Sequence, residues 1–89
     1  MASTIVTIIN RLGLHARAAT KLVQTAAAYT STVTLIRNGK EVNGKSIMGV
    51  MMLAAAQGAR IEIRTSGADE EAALAALVEL VAARFGEEA

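Results

Sequence analysis

The chain has 89 residues and contains no cysteine, no proline and no tryptophan, with one tyrosine and one phenylalanine. Without cysteine it has neither a disulfide framework nor a thiolate metal site. Aromatic residues make up 2% of the chain and hydrophobic residues 53%, so we predict an aliphatic, alanine-rich core. The missing proline favours long, regular elements. The length predicts a single domain that spans residues 1–89.

Long hydrophobic runs are also absent. The uncharged run over residues 46–59 is too short for a membrane span and is broken by Gly49 and Gly58. The N-terminus shows no basic segment followed by an apolar one, as a secretion signal would. We therefore expect a soluble, cytoplasmic protein without membrane insertion.

The net charge is only +1, but the charge is divided unevenly along the chain. Residues 1–45 hold six basic side chains and one acidic one, whereas residues 46–89 hold three basic and seven acidic ones. The basic half contains the only histidine, His15, and favours a phosphoryl donor or an acidic partner surface. The small net charge and the missing base-stacking aromatics argue against nucleic-acid binding, including a small RNA-binding domain.

The hydrophobic periodicity predicts the order β-α-β-β-α-β-α. Alternation with β-branched residues indicates the strands, an apolar stripe indicates the long helices, and Asn38-Gly39 predicts a tight hairpin turn. The predicted strands are 3–9, 32–37, 40–42 and 59–65, and the predicted helices are 16–28, 47–53 and one that begins after an Asp69 cap and is stopped by Gly86. The stripe of the last helix is predicted to include Leu74, Leu77, Val78, Val81 and Phe85.

These elements predict an α+β fold with a four-stranded antiparallel sheet. Charged residues alternate with apolar ones in the strands, which predicts that one sheet face is exposed to solvent. The three helices are therefore predicted to lie together on the other face. The crossover between the first and second strands leaves room for the fourth strand between them. The first strand leaves its buried face undecided, because Ile5, Val6, Ile8 and Ile9 point to both sides.

His15 follows the loop 10–14 and precedes the first helical pattern. A helix start offers free backbone N–H groups and positive dipole density, which suit an anion. A neutral imidazole there, with Arg17 nearby, predicts a phosphate acceptor. Taken without its neighbours, a single histidine beside a turn is more often a solvated residue or a cap.

Two segments carry a family resemblance. Gly13-Leu14-His15-Ala16-Arg17-Ala18, followed by Lys21-Leu22-Val23, resembles the active-site segment of HPr, the histidine-containing phosphocarrier of the bacterial phosphotransferase system. Gly44-Lys45-Ser46-Ile47-Met48-Gly49-Val50-Met51 resembles a second segment of that family. The resemblance implies an open-faced β-sandwich, in agreement with the fold predicted above.

The resemblance also implies a function. His15 would take a phosphoryl group from phosphorylated enzyme I, on Nδ1, and pass it to a IIA domain or protein. Arg17 would neutralise the phosphoryl group, and the backbone amides of Ala16, Arg17 and Ala18 would cradle it. Such a protein is a covalent carrier in a relay rather than an enzyme, and it needs no cofactor or metal.

Ser46 is placed to cap the short second helix, and the resemblance makes it a regulatory phosphorylation site for a kinase and phosphorylase. That helix is apolar almost all round, so part of it is predicted to remain exposed. We predict that Ile47, Met48 and Met51 form a partner-binding patch.

Other interpretations remain open. Many HPr sequences have proline where this chain has Ala18, which leaves a regulatory, nitrogen-type carrier as an alternative to a sugar-transport carrier. A different class is a ligand-binding or oligomerising module in which His15 is incidental. Residues 39–46 match the Walker A pattern, but a hairpin turn and a strand occupy its first half, which excludes a phosphate-cradling loop.

Overall fold

The computed structural model describes residues 1–88 and shows the predicted order of elements. Four strands and three α-helices are followed by a short 3₁₀ turn. Their bounds are β1 Ala2–Thr7, α1 Ala16–Ala27, β2 Thr32–Arg37, β3 Lys40–Asn43, α2 Ile47–Met52, β4 Arg60–Ser66, α3 Glu70–Ala82 and the 3₁₀ turn Arg84–Gly86. Among these residues, no helix has the length and apolar character needed to cross a membrane.

The strands form one antiparallel sheet in the order β1-β4-β2-β3. The predicted position of β4, between the first two strands, is confirmed. The hairpin between β2 and β3 turns at Asn38 and Gly39, which have φ angles of 52° and 80°. Both residues tolerate this left-handed conformation, which explains why their pair predicts the turn.

Aliphatic side chains of the sheet pack against the helices to form the core. Val33 and Leu35 of β2 and Ile61 and Ile63 of β4 point inward, as their alternation predicted. The core as a whole consists of Ile8, Leu14, Ala18, Ala19, Leu22, Ala26, Val33, Leu35, Val50, Leu53, Ala55, Ile61, Ile63, Leu77, Val81 and Phe85. The prediction of an aliphatic core with much alanine is therefore confirmed.

Packing decides the face of β1 that the sequence left open. Val6 packs against the core, whereas Ile5 is 58% exposed on the open side of the sheet. The strand ends at Thr7, earlier than predicted, and Ile8 is fully buried beyond it. The backbone of Ile8 is held by Ala59 and Gly58 rather than by a regular ladder.

The structure confirms Asp69 as the N-cap residue of α3, but not the capping hydrogen bond that an aspartate usually makes there. Its carboxylate accepts instead from the backbone N–H groups of Thr30 and Ser31, each at 2.9 Å, and from the Ser31 hydroxyl. The carboxylate therefore ties the segment after α1 to the start of α3.

The predicted end of α3 also differs from the structure. The helix ends at Ala82, and Arg84 and Phe85 take positive φ angles of 56° and 54° before Gly86 is reached. Phe85 thus belongs to the turn rather than to the helical stripe, although it is fully buried. The chain reverses there because burial of the phenyl ring offsets the cost of left-handed backbone.

Candidate functional site

The loop between β1 and α1 is fixed against the loop that follows α2. The Gly13 N–H donates to the Asn10 carbonyl at 3.2 Å, and the Leu14 N–H donates to the Ala55 carbonyl at 2.8 Å. Gly13 has a φ of +66°, and a Cβ on it would lie 2.5 Å from the Ala55 oxygen. A side chain does not fit there, so glycine permits the close approach that sets the start of α1.

His15 is the N-cap residue of α1, as predicted, with extended backbone at φ −78° and ψ 178°. Its side chain makes no capping hydrogen bond. The first bond of the helix joins the Ala19 N–H to the His15 carbonyl at 2.8 Å. The amides of residues 16–18 precede this bond and have no acceptor in an earlier helical turn, so the helix start can receive an anion.

The His15 ring faces a carboxylate that no sequence pattern predicted at this position. His15 Nε2 contacts Glu87 Oε2, and the two side chains are 27% and 14% exposed. Glu87 Oε1 accepts a hydrogen bond from Asn10 Nδ2 at 2.9 Å. The hydrogen bonds from Asn10 and His15 lower the pKa of the Glu87 carboxyl below its usual value.

A pocket of about 270 Å³ lies beside this pair and is lined by Arg11, Leu12, Arg17 and Glu87. Arg17 is exposed and lies in the first turn of α1. The structure therefore places Arg11 and Arg17 around one pocket near the start of α1, together with Glu87, which contacts His15. An incoming phosphate group would meet positive charge from both arginines and from the helix amides.

The segment after α3 reaches this site through a second contact. Lys21 Nζ donates to the Phe85 carbonyl at 2.6 Å. The sequence assigned no role to Lys21, Asn10 or Glu87. The partners of Glu87 lie 72 and 77 residues away in the chain, so no local pattern could have revealed these contacts.

Ser46 caps α2, as predicted. Its Oγ accepts from the Gly49 N–H at 3.1 Å, and the side chain is partly exposed. The outer face of α2 is apolar and open: Ile47 is 42% exposed, Met48 77% and Met51 43%, whereas Val50 is buried. The prediction that part of this helix remains exposed is confirmed, and we call residues Ile47, Met48 and Met51 the α2 patch.

Comparison with known proteins agrees with this architecture. The family model for the PTS HPr component phosphorylation site matches residues 2–83. The phosphocarrier protein HPr of Cupriavidus necator is 57% identical over 81 residues, which is 91% of each chain. That of Neisseria meningitidis is 58% identical over 80 residues, which is 90% of each chain.

Solved structures show the same fold. The crystal structure of HPr-C-His from Thermoanaerobacter tengcongensis superposes with a TM-score of 0.97 at 44% identity over the whole of both chains. That of a phosphocarrier protein HPr from Bacillus anthracis gives 0.85 at 41% identity, over 88% of this chain and 93% of the other. By sequence and by fold, the chain belongs to the HPr family of phosphocarrier proteins of the phosphotransferase system.

Proposed function

We propose that His15 accepts a phosphoryl group from phosphorylated enzyme I and passes it to a IIA domain or protein. The observation that carries the proposal is the position of the His15 ring at the N-terminus of α1. The ring contacts Glu87, which lines the same pocket as Arg17, and the first amides of the helix have no acceptor in an earlier turn. Membership in a phosphocarrier family supports the same reaction.

The contacts of the ring support Nδ1 as the acceptor atom. Because Nε2 faces the Glu87 carboxylate, Nδ1 is the nitrogen left for phosphorus. Arg17 and the amides of residues 16–18 then neutralise the charge of the phosphoryl group. The protein is a carrier in the cytoplasm, where phosphoenolpyruvate is available, and its partners supply much of the catalytic machinery.

Enzyme I and phosphoenolpyruvate should label the protein with an acid-labile phosphate. His15→Ala removes the acceptor nitrogen, so we expect no label in that variant. Gln24→Ala, which changes an exposed side chain on the same helix, is the matched control and should be labelled as well as the wild type. Label on the His15→Ala protein would refute the assignment.

We also propose that phosphorylation of Ser46 by a kinase, and its reversal by a phosphorylase, regulates docking of partners on the α2 patch. A phosphate at the N-terminus of a helix is compatible with the dipole, so the fold survives. The new negative charge would lie at the edge of an exposed apolar surface that includes Ile47 and Met48. Docking would then require desolvation of that charge.

Ser46→Asp tests this regulation. A carboxylate can replace the hydroxyl as a cap, so we expect nearly unchanged thermal stability but slower phosphorylation by enzyme I. Ser3→Asp introduces the same charge at an exposed position of β1 and should leave the rate unchanged. Equal rates for Ser46→Asp and the wild type would remove the regulatory proposal.

Because of Ala18, we propose a regulatory, nitrogen-type carrier as the alternative to a sugar-transport carrier. Ala18 is fully buried in the first turn of α1, at the place where many sequences of the family have proline. Transfer of the phosphoryl group from His15 to purified IIA proteins of the sugar-specific and nitrogen-regulatory types distinguishes the two branches. The acceptor with the higher kcat/KM identifies the branch.

A further inference from the structure

The Glu87 carboxylate is held from two sides, which distinguishes it from a solvated surface acid. One oxygen accepts from Asn10 Nδ2 and the other contacts His15 Nε2. Asn10 is fully buried, and its Nδ2 also donates to the Gly13 carbonyl at 2.9 Å. The amide that positions Glu87 is therefore itself fixed by the loop that begins α1.

The backbone before Glu87 is equally constrained. Arg84, Phe85 and Gly86 have consecutive positive φ angles of 56°, 54° and 79°. Phe85 is fully buried in the core, and its carbonyl accepts from Lys21 Nζ. These contacts return the chain from the end of α3 to the start of α1 and bring Glu87 beside His15.

Resting on the proposed function, we infer that Glu87 is a positioning residue for phosphoryl transfer, and that Asn10 holds it in place. The carboxylate accepts the Nε2–H of His15, which fixes the tautomer and the ring orientation and presents the Nδ1 lone pair to phosphorus. A carboxylate that accepts from one ring nitrogen of a histidine sets the tautomer and orients the other nitrogen, as in the Ser-His-Asp triad. The family model matches residues 2–83 only, so Glu87 is assigned from this chain's own contacts.

The reaction balances with Glu87 unchanged. The Nδ1 lone pair forms the new N–P bond while the bond from phosphorus to the donor breaks, and its electron pair leaves with the donor. The proton on Nε2 stays on the ring, between the nitrogen and the carboxylate. Glu87 thus offsets the positive charge that develops on the imidazole as the N–P bond forms.

Glu87→Ala is the informative variant, and Glu88→Gln is its control. Glu88 is an exposed neighbour, and both substitutions remove one negative charge. The first measurement is the NMR resonance of the His15 Nε2–H, which is slow to exchange with water only if an acceptor protects it. We expect this resonance in the wild type and in Glu88→Gln, and its loss in Glu87→Ala.

The second measurement is the steady-state rate of phosphorylation by enzyme I. We expect kcat to fall roughly tenfold in Glu87→Ala, as for loss of one charge-assisted hydrogen bond, with KM unchanged.

Asn10→Ala should lower kcat in the same direction and should also weaken the Nε2–H resonance. If the wild type is labelled on His15 and Glu87→Ala reacts at the wild-type rate, or if its Nε2–H stays protected, Glu87 has no positioning role although the carrier function stands. If the wild type takes no label from enzyme I, the proposed function fails. The NMR measurement still decides the contact in that case, because it needs no partner protein.

Discussion

At the scale of single residues, the site depends on a position that only glycine can occupy without strain. Gly13 lets the loop before α1 approach the backbone of Ala55 and Ala56. The resulting hydrogen bond from the Leu14 N–H to the Ala55 carbonyl sets where α1 begins and therefore where His15 lies. The chemistry of His15 thus depends on a neighbour that has no side chain.

Gly13→Ala should therefore be strongly destabilising. A Cβ at this position would lie 2.5 Å from the Ala55 oxygen and 2.8 Å from the Ala56 Cα, at a φ of +66°. We expect a loss of about 2 kcal/mol or more in the free energy of unfolding, from strain and from displaced backbone. Urea denaturation measures the change.

Gly39→Ala is the matched control for this prediction. Gly39 has a φ of +80°, but a Cβ there would meet nothing within 4 Å. Only the cost of left-handed backbone applies, and we expect a loss of about 1 kcal/mol. If both variants lost the same stability, the contact with Ala55 would not be what requires glycine at position 13.

At the scale of elements, side chains join segments that are distant in the chain. Asp69, at the start of α3, binds the segment between α1 and β2 through Thr30 and Ser31. The hydrogen bond from the Ser31 hydroxyl and the one from the Thr30 backbone lower the pKa of the Asp69 carboxyl to about 2, from an ordinary value of 3.8. A depressed pKa means that the ionised carboxylate stabilises the folded state.

This stabilisation should depend on pH in a defined direction. It is fully present above the ordinary pKa of 3.8 and is lost as the pH falls through the folded-state value of about 2. We expect Asp69→Asn to lower the urea midpoint at pH 6 and to approach the wild type as the pH falls to 2. Glu79→Gln, on the exposed side of α3, is the control. A midpoint difference for Asp69→Asn that stayed constant with pH would contradict the prediction.

At the scale of the whole molecule, Phe85 connects the core with the functional site. It is the only phenylalanine, is fully buried, and packs in the cluster that contains Leu22 and Leu77. Its carbonyl accepts from Lys21, and Glu87 follows two residues later. The same side chain therefore completes the core and directs the carboxylate towards His15.

Phe85→Ala should cost about 3–5 kcal/mol in the free energy of unfolding, because it leaves a cavity in the core. Urea denaturation at neutral pH provides the measurement. Met52→Ala removes a large side chain that is 59% exposed and should change stability by less than about 0.5 kcal/mol. A cost for Phe85→Ala close to that of the control would show that the turn is not held by the core.

The sequence by itself determined the order of the elements, the order of the strands in the sheet and the place of His15 at a helix start. Period-2 alternation marks β2 and β4, Asn38-Gly39 marks the hairpin, and an apolar stripe marks α1, because these features depend on residues close in the chain. The position of His15 at a helix start is likewise local. The exposed face of α2 could also be predicted, since two helical turns cannot bury apolar residues on every side.

Only the tertiary structure decided the contacts between distant segments. Asp69 has the residue type and position of a helix cap. Its carboxylate instead accepts three hydrogen bonds from Thr30 and Ser31. Gly86 suggests the end of α3, yet burial of Phe85 turns the chain earlier. The contact of Glu87 with His15 arises in the same way. Such pairings depend on which distant segments packing brings together, and no pattern of neighbouring residues encodes that.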